Sequence, residues 1–292
     1  MSAAAGGLTL AAAQQQQLKL GILAGGGVLP GQLAARLEEQ GREVFIAAFE
    51  DHAEAAVIAG FDHHWVRLGL AQQIIDVLKQ NNVGEVVMVG PVGRPSLREL
   101  KTDARFLKIL TKAGLKAFRD DAFLSVIIAE FESEGFVVSS IGDYLNDHLA
   151  VIGQMGGISP PTGAQDDIDR GCAVLTQLSQ SDVGQAIVVQ EGVVLGIEAI
   201  EGTDNLIHRC GLLKRAGPGP VLIKLCKDGQ SRRADLPTIG PETIRRAAAA
   251  GFSGIAVQAN GCILVDRDML VQQADQARLF ICGIDGGAND RS

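Results

Sequence analysis

The run K-L-G-I-L-A-G-G-G-V-L-P, residues 19–30, decides the fold class of this chain. Residues 19–24 form an apolar run typical of a buried strand, and Pro30 suits the first turn of a helix. The glycines at 25–27 predict a tight turn between them. A strand, a glycine turn and a helix in succession open a Rossmann-like unit, whose turn backbone approaches a nucleotide. The alternative is a tight turn with a purely structural role.

The spacing of these glycines gives little support for a nicotinamide cofactor. The turn reads G-G-G-V-L-P and lacks the pattern G-x-G-x-x-G of dinucleotide-binding proteins. The chain also offers no convincing acid for hydride transfer. A nicotinamide-dependent oxidoreductase is therefore the weaker interpretation.

Strand-like and helical segments alternate through the first half, which predicts a parallel sheet. Strands are predicted at 43–48, 65–68 and 85–90, with helices at 31–39, 53–59 and 72–81. Ligands bind such sheets at the carboxyl ends of the strands, so the turns after Ala24 and Gly90 are expected to share one crevice. Arg94 is a candidate contact for an anionic or uracil-containing group, or else a surface charge. The predicted nucleotide contacts are Gly26, Gly27, Val28, Gly90, Pro91, Val92 and Arg94.

The stretch Q-E-G-V-V-L-G-I-E-A-I-E-G-T-D, residues 190–204, is the main feature of the second half. It predicts a tight Glu191-Gly192 turn, a short strand and a break at Gly202. Thr203 or Asp204 is then expected to cap a helix that runs to about residue 213.

Three carboxylates, those of Glu198, Glu201 and Asp204, therefore lie where a strand ends and a helix begins. No Lys or Arg occurs between Arg170 and Arg209. Carboxylates without local cations bind a metal or receive a partner from elsewhere in the chain. The alternative is a solvated acidic loop.

The second half is predicted to be an α/β domain with a mixed sheet. Residues 18–150 form the Rossmann-like domain, 151–164 a glycine- and proline-rich linker, and 165–287 the second domain. Lys224 lies inside the apolar run 221–226, so it extends to the surface or pairs with a carboxylate. Residues 232–240, R-R-A-D-L-P-T-I-G, form a second cluster of charged residues.

Composition limits the class of protein. Hydrophobic residues make up 47% and charged residues 21% of the 292 residues, which is typical of a globular protein. The net charge of −8 argues against nucleic-acid binding. The five cysteines include no C-x-x-C pair, which favours reduced thiols and a cytoplasmic protein. Residues 1–17 are predicted to be a disordered extension, and no apolar run is long enough for a membrane span.

A row of basic residues is predicted on one face of a helical region at 96–134. Such a face is usually solvated, but it also suits phosphate or an anionic membrane surface. The residues are Arg98, Lys101, Arg105, Lys108 and Lys112.

Several of these motifs resemble the LpxI family of UDP-2,3-diacylglucosamine pyrophosphatases of lipid A biosynthesis. The resemblance spans about residues 18–285, and the two C-terminal motifs make it specific. The motifs are G-I-L-A-G-G-G-V-L-P (21–30), D-V-G-Q-A (182–186), V-L-G-I-E-A-I-E-G-T-D (194–204) and R-A-D-L-P-T-I-G (233–240).

The resemblance implies a two-domain hydrolase that converts UDP-2,3-diacylglucosamine to UMP and 2,3-diacylglucosamine 1-phosphate (lipid X). It implies assistance by Mg²⁺, or another divalent cation such as Mn²⁺, and attack of water on the sugar-side phosphorus. A cytoplasmic enzyme that contacts the inner membrane peripherally is expected, and its oligomeric state stays open. A non-catalytic UDP-lipid carrier or sensor is the alternative.

The resemblance also implies that Asp235 is an essential acidic residue of the catalytic site, which binds the metal or orients the attacking water. Together with residue chemistry, it predicts a metal site formed by Asp235, Glu198 and Glu201. Charge on the phosphates is neutralised by Arg233 or Lys224 in this hypothesis. Predicted catalytic residues are Asp235, Glu201, Arg233 and Lys224, and further substrate contacts are Thr162, Gly163, Gln185 and Asp204.

Overall fold

The structure is a computed structural model that describes residues 18–93, 100–113, 121–181, 183–226 and 236–286. By their contacts, the described residues fall into two units, one ending at Tyr144 and one beginning at Leu145. Both units are α/β. The first has a wholly parallel sheet and the second a mixed one, which confirms the predicted fold class.

The first unit contains a sheet of five parallel strands with helices between them. The strands are β1 (Lys19–Ala24), β2 (Val44–Phe49), β3 (His63–Val66), β4 (Val83–Val89) and β5 (Val137–Ser139). The helices are α1 (Leu29–Glu39), α2 (Ala55–Ile58), α3 (Ala71–Gln80), α4 (Ala104–Ala113) and α5 (Asp121–Ser133).

The strand order β3-β2-β1-β4-β5 places β1 in the middle of this sheet. From β1 the chain adds β2 and then β3 on one side of β1. It then crosses to the other side of β1, where it adds β4 and β5. Strands β1 and β2 are almost wholly buried, which explains their uninterrupted apolar sequences. The carboxyl ends of β1 and β4 form the point where the topology reverses, and such a point is the usual ligand position in an open α/β sheet.

The second unit contains a six-stranded sheet, a two-stranded sheet and four further helices within the described residues. Its strands are β6 (Gly153–Gln154), β7 (Ala186–Gln190), β8 (Val193–Ile197), β9 (Val221–Lys224), β10 (Thr238–Ile239), β11 (Gly254–Gln258), β12 (Ile263–Leu264) and β13 (Phe280–Ile284). Its helices are α6 (Ala164–Leu178), α7 (Gly202–Leu212), α8 (Pro241–Ala249) and α9 (Arg267–Gln276).

The order of the large sheet is β6-β13-β11-β9-β7-β8, with β9, β11 and β13 parallel. Strand β7 runs antiparallel to both of its neighbours. Along β7 the side chains alternate between two cores: Ala186 and Val188 belong to one, Ile187 and Val189 to the other. This period of two buries both faces of the strand.

The turn between β7 and β8 is held by a side chain of helix α6. Glu191 and Gly192 have φ values of 49° and 73°, which fit the two-residue hairpin turn predicted from the sequence. The buried Asp167 carboxylate accepts hydrogen bonds from the backbone amides of Glu191 (3.1 Å) and Gly192 (2.6 Å). The first turn of α6 is thereby fastened to the hairpin.

Two predicted elements of the second unit differ from the structure. Helix α7 begins at Gly202, and its N-cap residue Glu201 makes no side-chain capping bond. The prediction that Thr203 or Asp204 caps this helix is wrong, because the Thr203 hydroxyl donates to the Glu198 carboxylate instead. The sequence also predicts a closing helix from about residue 268, but in the structure α9 is followed by strand β13, which lies inside the sheet.

The predicted basic face is interrupted. Lys101 precedes helix α4, and Arg98 lies outside the described residues. Arg105 pairs with Glu130 and Glu134, and Lys112 pairs with Glu130. These ion pairs use cations that the sequence interpretation had left facing solvent. Within the described ranges, no helix has both the length and the apolar character needed to cross a bilayer.

Candidate functional site

Two turns meet at the carboxyl ends of β1 and β4 in the first unit. The Gly25 amide donates to the Val89 carbonyl at 2.8 Å, and the Gly26 amide donates to the Pro91 carbonyl at 2.9 Å. The structure therefore brings together the turns that contain the predicted contacts Gly26, Gly27, Val28, Gly90, Pro91 and Val92. We call this place the glycine crevice. Arg94 lies outside the described residues.

Glycine is required on both sides of the glycine crevice because backbone meets backbone there. A Cβ atom at Gly25 would lie 2.5 Å from the Pro91 carbonyl oxygen. At Gly90 it would lie 2.3 Å from the Gly26 carbonyl oxygen, and the φ value of +88° already disfavours other residues. Gly27, in contrast, has φ +80°, and no atom of the described residues lies within 4 Å of where its Cβ atom would be.

The loop after β2 supplies the third wall of the glycine crevice. The Gly27 amide donates to Glu54 Oε1 at 3.3 Å, and the His52 ring lies 3.3 Å from where a Cβ atom of Gly93 would be. Sequence analysis missed both side chains. The available signal was their position shortly after the second strand of a Rossmann-like unit, where an acidic residue often contacts ribose.

A second group of polar side chains lies where strands β8 and β9 end in the large sheet of the second unit. Glu198 follows the end of β8 and is buried, with 7% of its surface exposed. Its Oε1 accepts from the Thr203 hydroxyl at 2.5 Å, and its Oε2 accepts from the Gln185 backbone amide at 3.1 Å. Both oxygens of this buried carboxylate therefore have donors, as a buried charge requires.

Lys224 lies at the end of β9, opposite Ala186 of β7, and is 6% exposed. Its ammonium donates to the Thr203 hydroxyl at 3.1 Å and to the Thr238 carbonyl at 2.9 Å. The Thr203 hydroxyl thus connects a buried cation to a buried carboxylate. Lys224, Thr203, Glu198 and Thr238 form what we call the strand-end cluster. Sequence analysis predicted only a helix-capping role for Thr203 and assigned no role to Thr238.

A cysteine near this cluster remains a thiol. Burial raises the pKa of Cys262 to about 12, which outweighs the opposite influence of Lys224 on that pKa. The thiol is therefore protonated at neutral pH and is not a nucleophile.

The other two carboxylates of residues 198–204 have cationic partners that lie far away in sequence or on helix α7. Glu201 accepts from Arg209 Nη2 at 2.8 Å, and Asp204 lies 3.2 Å from Arg246 Nε. The backbone amide of Glu201 and then the Arg209 guanidinium lower the pKa of the Glu201 carboxyl. Of the two possibilities weighed for these acids, the structure supplies partners from other parts of the chain.

The described residues contain no metal site of three or more acidic, histidine or cysteine side chains. Asp235 and Arg233 lie outside the described residues, so the predicted set of Asp235, Glu198 and Glu201 stays a prediction. Leu236, which follows Asp235 directly, is buried and comes shortly before Thr238 of the strand-end cluster.

Two predicted substrate contacts lie away from this cluster. Thr162 and Gly163 line a pocket of about 380 Å³ at the start of helix α6. The pocket also includes Val221 at the beginning of β9, whereas Gln185 bonds to Leu225 beyond its end. The structure therefore places Thr162 and Gly163 near the opposite end of β9 from Gln185 and Lys224.

Comparison with protein families matches each half of the chain separately. Residues 19–148 match the LpxI N-terminal domain, and residues 152–282 match the LpxI C-terminal domain. The chain belongs to the LpxI family. The resemblance seen in the sequence motifs is therefore confirmed.

A curated relative supports the same family over nearly its whole length. It is the UDP-2,3-diacylglucosamine pyrophosphatase LpxI of Caulobacter vibrioides (strain ATCC 19089 / CIP 103742 / CB 15). The two proteins are 37% identical over 276 residues, which cover 91% of this chain and 98% of the relative.

Solved structures give much weaker similarity. An N5-carboxyaminoimidazole synthase from Aspergillus clavatus has 10% identity and a TM-score of 0.23, covering 68% of this chain and 44% of its own. The CobK precorrin-6A reductase has 10% identity and a TM-score of 0.30, covering 94% and 91%. Scores this low say nothing about the function of this chain.

Proposed function

We propose that this protein hydrolyses UDP-2,3-diacylglucosamine to UMP and 2,3-diacylglucosamine 1-phosphate (lipid X) in lipid A biosynthesis. The observation that carries this proposal is the 37% identity with a UDP-2,3-diacylglucosamine pyrophosphatase over 98% of that protein. Similarity over a whole two-domain chain supports a shared reaction more strongly than a shared fold does.

The uridine end of the substrate belongs, in this proposal, in the glycine crevice of the first unit. The crevice lies where the sheet topology reverses, and its walls are close-packed backbone. Bare glycine backbone lets a flat base or a sugar approach the turns, which a side chain would prevent.

Charge on the diphosphate is assigned to Lys224. An ammonium group has three N–H donors, and two of them bond to Thr203 and Thr238. No acceptor for the third donor is found among the described residues, and we assign this donor to a phosphate oxygen. Thr203 and Glu198 hold the lysine side chain in place, so it does not have to be ordered when substrate binds.

Asp235 keeps the essential role that the family resemblance implies, and Arg233 keeps the role that residue chemistry suggested. Asp235 positions the attacking water for the sugar-side phosphorus and takes up its proton, and Arg233 neutralises phosphate charge. The proton of the water leaves to a carboxylate, the new P–O bond forms, and UMP departs with the bridging oxygen.

A divalent cation, Mg²⁺ or Mn²⁺, is also part of the proposal, although the described carboxylates do not form a site for it. Glu198 already accepts two hydrogen bonds and is linked to Lys224 through the Thr203 hydroxyl. Glu201 is paired with Arg209. No step of the reaction is therefore assigned to the ion. Chelation with EDTA is expected to stop UMP release, and added Mg²⁺ to restore it. Full activity in EDTA would remove the cation from the proposal.

Because the substrate and product are amphipathic lipids, we infer that the reaction takes place at the cytoplasmic surface of the inner membrane. Leaving the acyl chains in water costs about 0.8 kcal/mol per CH₂ group, so the chains must stay in lipid or in an apolar groove. Peripheral association with the membrane, where the substrate resides, is therefore part of the proposal.

The proposal is tested by incubating the purified protein with UDP-2,3-diacylglucosamine and Mg²⁺ in ¹⁸O-labelled water. We expect UMP, with the label found only in the phosphate of 2,3-diacylglucosamine 1-phosphate. Label in UMP would show attack on the uridine-side phosphorus. Substrate binding without any UMP would instead support a UDP-lipid carrier or sensor, which the ion-paired state of Glu201 and Asp204 also suits.

A further inference from the structure

The glycine crevice contains a carboxylate that the proposed reaction does not use. Glu54 lies in the loop after β2, directly before helix α2, and its side chain is exposed. Its Oε1 atom accepts from the Gly27 amide at 3.3 Å. Neutral N–H···O bonds are usually 2.7–3.2 Å long and charge-assisted ones shorter still, so this contact is a loose one. The carboxylate therefore retains acceptor capacity for a ligand.

The position of Glu54 is incompatible with a phosphate on the Gly27 amide. A carboxylate that already accepts from that amide repels an anion at the same place. A carboxylate readily accepts hydrogen bonds from hydroxyl groups, particularly where two hydroxyls are adjacent. The chemistry of this wall therefore suits a sugar and not a phosphate.

The open side of the turn is where a sugar would fit. Among the described residues, no atom lies within 4 Å of the position where a Cβ atom of Gly27 would be, while Gly25 and Gly90 are closed by backbone contacts. Glu54 is bonded to this open residue. In Rossmann-like sheets, an acidic residue beyond the second strand commonly bonds ribose hydroxyls, and Glu54 lies beyond β2.

We propose that Glu54 recognises the ribose of the uridine nucleotide by accepting hydrogen bonds from its adjacent 2′- and 3′-hydroxyls. Glu54 is then a specificity-determining residue that selects ribonucleotides over deoxyribonucleotides. The inference rests on the proposed function in one respect, namely that the uridine end of the ligand occupies the glycine crevice.

The test is calorimetric titration of the full-length protein with UMP and with 2′,3′-dideoxy-UMP. Because a hydrogen bond to a charged group contributes about 1.5–3 kcal/mol, wild-type protein is expected to prefer UMP by about tenfold to a hundredfold. Glu54→Ala is expected to bind both nucleotides with nearly equal affinity. Glu54→Gln, which keeps an acceptor for the Gly27 amide but loses the charge, is expected to show an intermediate preference.

Two neighbouring acids serve as controls. Glu50 lies directly after β2 and pairs with Arg67, and Asp51 follows it with a φ value of 67°. Glu50→Ala and Asp51→Ala are expected to keep the wild-type preference for UMP. Loss of that preference in Asp51→Ala instead would transfer the role to Asp51 and overturn the proposal.

A role for Glu54 in holding the loop would produce a different result. Stability would fall, but the ratio of the two affinities would not change. The same ratio in wild type, Glu54→Ala and Glu54→Gln overturns the inference, as does a wild-type protein with no ribose preference or no UMP binding. If Glu54→Ala does not fold, the Glu54→Gln ratio decides.

The catalytic proposal is tested separately, by measuring UMP release from UDP-2,3-diacylglucosamine. Hydrolysis by a protein whose ribose preference does not depend on Glu54 would overturn only this inference. A Glu54-dependent preference in a protein that releases no UMP would overturn only the catalytic proposal.

Discussion

The glycine crevice and the strand-end cluster are both built at the ends of strands, but by opposite means. In the crevice, backbone groups contact one another where a Cβ atom would lie only 2.3–2.5 Å from a carbonyl oxygen. In the cluster, a buried lysine and a buried glutamate are joined through a threonine hydroxyl. The crevice depends on the absence of side chains, and the cluster depends on three particular side chains. Substitutions should therefore harm the two places through different physical quantities.

The largest expected effect separates chemistry from nucleotide binding. Asp235→Ala is expected to lower turnover by about 10²–10⁴-fold, because a positioned acid–base group is lost. UMP binding, assigned to the first unit, should be unchanged by calorimetry. The control is Asp268→Ala, which removes an exposed acid from the first turn of α9. This variant should keep both normal turnover and normal UMP binding. Near-normal turnover in Asp235→Ala contradicts the assignment.

Removing the buried cation should reveal the coupling inside the strand-end cluster. Lys224→Met leaves the buried Glu198 without its bridged cation, so the free energy of unfolding should fall by about 3 kcal/mol. Denaturant unfolding measures this change. The double variant Lys224→Met/Glu198→Gln should lose less stability than the sum of the two single variants. Strict additivity would show that the two charges do not interact.

A methyl group should be enough to damage the glycine crevice. Gly90→Ala forces a Cβ atom against the Gly26 carbonyl oxygen at positive φ, so stability should fall by about 1–3 kcal/mol and UMP affinity should fall with it. Gly41→Ala is the matched control, because Gly41 has φ +77° but open space around it. Equal losses in the two variants would mean that only the backbone angle matters. Thermal unfolding and calorimetry provide the two measurements.

The smallest expected effect concerns pH. The pKa of Glu201 is below its ordinary value of 4.5, so its stabilising contribution is complete above that pH and is lost as pH falls through the lowered pKa. Arg209→Met should therefore cost more stability at pH 7 than in acid, by less than about 1 kcal/mol because the pair is exposed.

Part of the effect of Arg209→Met will not depend on pH, since Arg209 Nη2 also donates to the Ile197 carbonyl at 2.5 Å. The control is Arg267→Met, which removes a bond to the Asp147 carbonyl, and within the described ranges Arg267 forms no ion pair with a carboxylate. Its cost should be the same at both pH values. A cost for Arg209→Met that is also constant would contradict the interpretation of Glu201.

The fold was predictable where local pattern and burial agree. Apolar runs such as 19–24 belong to strands buried on both faces, and the glycine turn after Ala24 lies at the predicted strand end. Strand β13 was missed because its short run follows directly on α9, and pairing with β11 is a contact that sequence pattern does not reveal.

The candidate site was less predictable because its partners come from distant parts of the chain. Lys224 was expected to reach a carboxylate or the surface, yet its direct partners are Thr203 and the Thr238 carbonyl. The acids of residues 198–204 lacked local cations, and nothing in their spacing indicated Arg246. Neutral hydroxyls and backbone carbonyls give little signal in a single sequence, although they complete the electrostatics of a buried charge.

The Asp167 carboxylate binds the backbone amides of the Glu191–Gly192 turn, and this contact also affects the far end of the hairpin. Side chains on a strand alternate in direction, so a slip of one residue would exchange the inward and outward positions all along β8. Glu198 would then point where Ala199 now points and would lose both Thr203 and the Gln185 amide. Asp167 on helix α6 thus sets the strand register in which Glu198, on the other side of the sheet, faces inward.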